Sequence, residues 1–348
     1  MDPKKLTQGE RESHDIYELG DFQLVSGEIL PKAKIAYKAW GTLNADKSNA
    51  IVYPTWFTGR HWENDWLIGP DMTLSPEKYF IIVPNMFGNG LSSSPSNTPA
   101  PLDGPRFPEI RVQDNVNAQH QLVTEKFGIT SLVAVLGWSM GAGQTFQWAV
   151  SYPEMVPKIL PFCGSARTSP HNRVFLEGVK AALTADAKFN GGEYKADDPP
   201  VVGLKACARV YAGWGLSQPF YWHETWKEMG FKSLDDFLVN FWEKFFLARE
   251  ANNLLCMLST WWHGNIGNTE GFDGNLETAL ASIKAKAIVM PALIDLYFPV
   301  ADEEYEVSHM PDAELRVIPG VWGHFAGGGS CDTDTAFIDK GLKDLLDA

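Results

Sequence analysis

Cysteine is scarce, with four in 348 residues, at Cys163, Cys207, Cys256 and Cys331. No two are spaced as C-x-x-C, which excludes a zinc ribbon and a thioredoxin-type redox centre. So few cysteines cannot staple a chain of this length, so buried free thiols are expected. Basic charge is also in deficit: 29 lysines and arginines face 43 aspartates and glutamates, a formal net charge of −14. That balance argues against gripping a nucleic-acid backbone or an anionic membrane surface. Long apolar runs are missing, and the opening MDPKKLTQGERESHD has no signal-peptide core. Internal repeats and low-complexity tracts are missing too. The expectation is a soluble, cytoplasmic protein with neither nucleic-acid nor membrane partners.

Hydrophobic residues, at 45%, are enough for a large core, and 13 tryptophans are unusually many. Apolar runs at 50–53, 79–83, 131–136 and 158–162 read as buried strands. Helical patterns at 112–127 and 140–151 fall between them, and this rhythm predicts a parallel sheet covered by helices on both faces. Residues 22–40 look instead like a β-hairpin, an antiparallel start to a mixed sheet. From about 165 to 280 the rhythm gives way to helical patterns heavy in tryptophan and phenylalanine. It returns with strands at 287–293 and 315–318, a helix after Pro299, and a last helix near 333–346. The predicted architecture is an α/β core of residues 1–165 and 281–348, interrupted by a helical, aromatic-rich lid at 166–280.

Gly137-Trp138-Ser139-Met140-Gly141 is a G-x-S-x-G sequence that follows an apolar strand and opens a helix. That context is what a nucleophile elbow requires, with glycines permitting the sharp turn and close helix packing. Serine is a weak nucleophile by itself and needs a base with an orienting acid, in the chain order Ser, Asp or Glu, His. Asp295 follows the strand beginning at 287, and His324 follows the strand ending near 318. Both therefore belong to the edge of the sheet that carries Ser139. The other histidines precede the serine, follow a helix in a polar loop (His309) or lie in the insert, and none follows a late core strand. His223-Glu224 begins like a zinc-protease motif, but Lys227 occupies the second histidine position, so no metal is expected and no cofactor is called for. An oxyanion hole needs two backbone N–H groups. Met140 supplies one expected donor, and Phe57, in the loop Thr55-Trp56-Phe57-Thr58-Gly59, the other.

The chain resembles the homoserine O-acetyltransferase family of α/β-hydrolases. The resemblance rests on Phe57-Thr58-Gly59, Asn85-Met86-Phe87-Gly88, residues 107–114, Ser139-Met140-Gly141 with Gln147-Trp148-Ala149 and Tyr152-Pro153, Asp295 with Phe298-Pro299, and Gly323-His324. It implies that Ser139, Asp295 and His324 act together through an acyl-serine. It also implies a homodimer, which the apolar excess of the lid helices suggests independently. The family's glycines around the nucleophile are replaced by Trp138 and Ala142, a tyrosine by Leu216, and an aspartate after the histidine by Phe325. Ala208-Arg209 keeps the family's Ala-Arg pair, whose arginine holds a carboxylate, so Arg209 and Trp138 are candidate substrate contacts. The departures resemble the family's branch of short-chain alkyl acetate esterases. The expected function is hydrolysis of short-acyl esters. Acetyl-CoA-dependent homoserine acetylation is the first alternative, and a non-catalytic binding protein on a hydrolase fold is the second.

Overall fold

The computed structural model of this chain describes residues 2–348. A short helix α1 (Gln8–Glu12) leads into β1 (Asp15–Gln23) and β2 (Ile29–Trp40), followed by β3 (Ala50–Val52), β4 (Phe80–Pro84) and α2 (Val112–Gln121). Then come β5 (Ala134–Trp138), α3 (Met140–Ser151) and β6 (Lys158–Phe162). The insert carries α4 (Pro170–Thr184), α5 (Val201–Gly215), α6 (Gln218–Trp222), α7 (Leu234–Phe237), α8 (Lys244–Leu247) and α9 (Ala251–Trp262). The chain closes with α10 (Leu276–Ala281), β7 (Lys286–Val289), α11 (Val300–Ser308), β8 (Ala313–Leu315) and α12 (Asp332–Asp347).

The strands form one eight-stranded sheet in the order β1-β2-β4-β3-β5-β6-β7-β8. The β1–β2 and β2–β4 pairs are antiparallel, and the remaining pairs are parallel. Alternate side chains feed two cores. Ile51, Ile81, Val83 and Leu136 pack with Leu342 and Leu345 of α12 and with the insert. Val52, Ile82 and Val135 pack with Val116 of α2, Phe146 of α3 and Leu280 of α10. Burial on both faces is why these strands read as unbroken apolar runs.

Three boundaries differ from the sequence pattern. The first strand begins at Asp15, not near 22, because it is an edge strand whose residues are mostly exposed and so lacks an apolar signature. Regular pairing of β7 stops at Val289, and only isolated bridges from Met290 to Phe162 and from Ala292 to Ile318 continue it. Pro291 between them has no N–H to give the ladder. The last strand is Ala313–Leu315, and Ile318 is buried beyond it by the bridge to Ala292.

The insert lies against the loops that leave the strands at their carboxyl ends. Tyr211 of α5 stacks on Phe57 at 5.7 Å, Trp261 of α9 on Phe298 at 5.6 Å, and Trp242 meets Phe325 edge-on at 5.4 Å. Trp242 lies in a π-helical turn, Leu238–Glu243, between α7 and α8. Such turns shift side-chain register and recur at functional sites.

Candidate active site

Ser139 stands between β5 and α3 at φ 59° and ψ −124°, a conformation that costs a non-glycine residue about 1–3 kcal/mol. Its neighbours must be glycine for steric reasons. A Cβ on Gly137 would lie 2.3 Å from the Gly141 carbonyl, and one on Gly164 would lie 2.3 Å from the Ser139 carbonyl oxygen. The turn lifts Oγ off the sheet edge and points it at the loop after β8.

That loop holds His324. Its Nε2 is 2.9 Å from Ser139 Oγ, and its Nδ1 is 2.7 Å from Asp295 Oδ2. The other Asp295 oxygen accepts the backbone N–H groups of Tyr297 at 2.8 Å and Phe298 at 3.2 Å. A carboxylate so placed accepts the Nδ1–H hydrogen bond and holds the proton on Nδ1, which leaves Nε2 free to accept from the Oγ hydroxyl. All three side chains are buried, at 2–4% exposure. The imidazole is fixed on every side. Trp138 stacks on it at 5.0 Å and donates its indole N–H to the His324 carbonyl, while Tyr297 packs edge-on at 4.7 Å.

Met140 is the first residue of α3, so its N–H has no intrahelical acceptor. Phe57 lies in the loop after β3, where Thr58 takes φ 69° and turns the chain. That loop is tied to the nucleophile helix by a buried polar chain that the sequence reading missed. Trp148 Nε1 donates to Gln119 Oε1 at 2.8 Å, and Gln119 Nε2 donates to Gln144 Oε1 at 2.6 Å. Gln144 Nε2 then donates to the Thr55 carbonyl at 2.8 Å. The available signal was Gln144 among the buried residues of a largely apolar helix, a residue type that must be hydrogen-bonded when buried.

Two cavities meet this site. The smaller, about 20 Å³, is lined by Ser139, Met140, Ala166, Trp261 and Phe298 among others. The larger, about 380 Å³, is lined by Trp56, Phe57, Trp138, Tyr211, Trp242, His324 and Phe325 among others. Arg11, Glu63 and Ser330 bring polar groups to it. Arg11 pairs with Asp65 at 2.8 Å and Glu63 with Arg249 at 3.3 Å, so both charges are already matched.

The expected residues are thus placed unequally. Ser139, Asp295, His324, Met140, Phe57 and Trp138 converge. Arg209 does not join them: its guanidinium pairs with Glu243 at 2.6 Å, and it lines neither cavity. Burial would raise the Glu243 carboxyl, but hydrogen bonds and charge from Arg209 and Lys205 hold it below its usual value. The Ala-Arg pair therefore serves an ion pair between α5 and the π-helical turn. His61 is buried with its Nε2 3.1 Å from the Arg11 carbonyl oxygen, and burial lowers its pKa to about 4. Among the described residues no cluster of histidine, cysteine, aspartate and glutamate is arranged to hold a metal ion.

A family model described as the alpha/beta hydrolase fold matches residues 54–254. The chain is 40% identical over 333 residues to the ethyl acetate hydrolase of Pseudomonas veronii, covering 94% of each. It superposes on the solved acetyl esterase MekB with a TM-score of 0.95 and 38% identity, covering 98% of this chain and 99% of that one. The homoserine O-acetyltransferase of Methanococcoides burtonii is 32% identical, over 88% of this chain and 68% of that protein.

Proposed function

This chain belongs to the α/β-hydrolase fold family, in the branch that links acetyl esterases to homoserine O-acetyltransferases, and from that premise we propose that it is a serine esterase of acetate esters. The observation that carries the reading is the hydrogen-bonded chain Ser139–His324–Asp295. Ser139 Oγ attacks the ester carbonyl as His324 Nε2 takes its proton, and Asp295 stabilises the imidazolium. The N–H groups of Met140 and Phe57 receive the developing oxyanion. His324 then returns the proton to the departing alcohol, leaving acetyl-Ser139. A water activated by the same imidazole hydrolyses the acetyl-serine.

Hydrolysis is favoured over transfer to homoserine by what surrounds His324. A polar acceptor needs a free charge or hydrogen-bonding wall, yet Arg209 is engaged by Glu243 and the nearer walls are aromatic. The test supplies purified protein with acetyl-CoA plus homoserine, and separately with ethyl acetate, and measures O-acetylhomoserine and free acetate. Acetate release with negligible O-acetylhomoserine is expected; the opposite result overturns the reading. Ser139→Ala is expected to lower kcat at least roughly 10³-fold.

Two further features belong to this proposal. A two-fold dimer through the insert helices is supported by Trp222, 84% exposed, and Val202, 71% exposed; a monomer mass by light scattering at micromolar concentration removes it. A reducing compartment such as the cytoplasm is supported by four cysteines that all stand as free thiols.

A further inference from the structure

The two cavities at the Ser139–His324 pair differ in size: Ser139 lines the smaller and His324 the larger. In an ester poised on Ser139 the carbonyl oxygen lies between the Met140 and Phe57 donors, and the acyl chain and alcohol leave the carbonyl carbon in different directions. The alcohol oxygen must receive its proton from His324 Nε2, so the alcohol occupies the cavity that His324 lines. The acyl chain is left with the cavity of Ser139 and Met140, which His324 does not line.

We propose that this partition fixes the substrate class as acetates of bulky, apolar, ring-bearing alcohols, with Trp261 and Phe298 setting the acyl limit and Trp242 and Phe325 receiving the ring. The inference rests on the serine-esterase reading above.

The acyl side is small and stiff. A cavity of about 20 Å³ is close to the space needed for one water, and so for one methyl group. Its wall does not give readily: Trp261 is 2% exposed and stacks on Phe298 with the ring planes 18° apart, and Thr168 Oγ1 donates to the Trp261 carbonyl at 2.5 Å. Close-packed interiors resist even one added methylene. Acetyl fits; longer acyl chains collide with an indole.

The alcohol side is the reverse. About 380 Å³ falls in the range of pockets that bury drug-sized ligands, far more than ethanol fills. Trp138 and Phe325 lie edge to face at 5.8 Å, as do Phe325 and Trp242 at 5.4 Å. Aromatic walls in such arrangements receive another ring at offset or perpendicular angles. The charges on this side are paired within the protein, so they hold no charged acceptor. A ring-bearing alcohol displaces more water from these walls than ethanol and gains the corresponding apolar contact.

The test uses two ester series. With acetate fixed, ethyl acetate is compared with 2-phenylethyl acetate, two alkyl esters of similar leaving-group basicity. With 2-phenylethanol fixed, acetate is compared with butyrate. In kcat/KM, 2-phenylethyl acetate is expected to exceed ethyl acetate by about tenfold or more, and butyrate to fall below acetate by about 100-fold or more. Trp261→Phe is expected to raise the butyrate-to-acetate ratio without moving the alcohol preference. Trp242→Phe and Phe325→Leu are expected to erode the phenylethyl preference without moving the acyl preference. Equal turnover of the two acetates, comparable turnover of butyrate and acetate, or variants that move the opposite preference overturns the partition. If the parent cleaves neither acetate and a fluorophosphonate leaves Ser139 unlabelled, the esterase reading itself fails. Labelling of Ser139 with a reversed preference removes only the partition.

Discussion

Replacing Asp295 by asparagine tests the site more sharply than deleting it, because the structure dictates which way the amide must face. One Asp295 oxygen accepts two backbone N–H groups, from Tyr297 and Phe298, and the other meets His324 Nδ1 at 2.7 Å. In Asp295→Asn the amide oxygen stays with the two backbone donors, and the NH₂ group is turned toward the imidazole. It can only donate, so Nδ1 must accept and the ring proton moves to Nε2. An imidazole protonated at Nε2 cannot take the proton of Ser139 Oγ. Flipping the amide restores the tautomer but strips two buried N–H groups of their acceptor, at about 1–3 kcal/mol each. The charge that steadies the imidazolium is lost in either orientation. A combined penalty of about 4–6 kcal/mol corresponds to about 10³–10⁴ in rate. The assay is initial-rate hydrolysis of an acetate ester, with kcat and KM separated and folding checked by thermal melting. KM is expected to change little, because no ligand-binding surface is altered. A folded Asp295→Asn variant that retains a tenth of the parental kcat would refute the assigned roles of Asp295 and His324.

Gln144→Met keeps the volume of a buried side chain but removes the donor to the Thr55 carbonyl and the acceptor for Gln119. The expected result is a kcat lowered by about tenfold with KM nearly unchanged, alongside a stability loss of about 2–4 kcal/mol. A stability loss with kcat intact shows that the polar chain does not hold the Phe57 loop. Glu306 predicts a pH effect on stability. Burial raises its pKa to about 8, while one oxygen still accepts the Ala166 N–H at 2.8 Å. The folded form keeps a proton that the unfolded chain releases near pH 4.5, so this group's contribution falls as pH rises from about 4.5 to 8 and then levels off. Glu306→Gln keeps the acceptor and cannot ionise; its melting temperature is expected to gain on the parent steadily between about pH 5 and 8. A constant difference across that range refutes the assignment.

The sequence determined the parts of this protein that depend on local backbone demands. Strands buried on both faces have to be apolar throughout, so β3, β4, β5 and β6 announced themselves, whereas the exposed edge strand β1 did not. The turn at Ser139 needs glycine at 137, where a Cβ would strike the Gly141 carbonyl, and at 141, where one would strike the Pro54 carbonyl, and that need is written as G-x-S-x-G. Asp295 and His324 were legible because a parallel sheet brings the carboxyl ends of its strands to one edge. What tertiary structure alone decided is where long side chains end and what space they leave. Arg209 has the same identity whether it faces a ligand or Glu243, and only the packing of α5 against the π-helical turn chose Glu243. Gln144 found its partners 25 residues upstream and 89 residues upstream. The unequal cavities at the Ser139–His324 pair arise from tryptophans and phenylalanines contributed by distant elements. A side chain's type is a local property, whereas the void it borders belongs to every element that meets there.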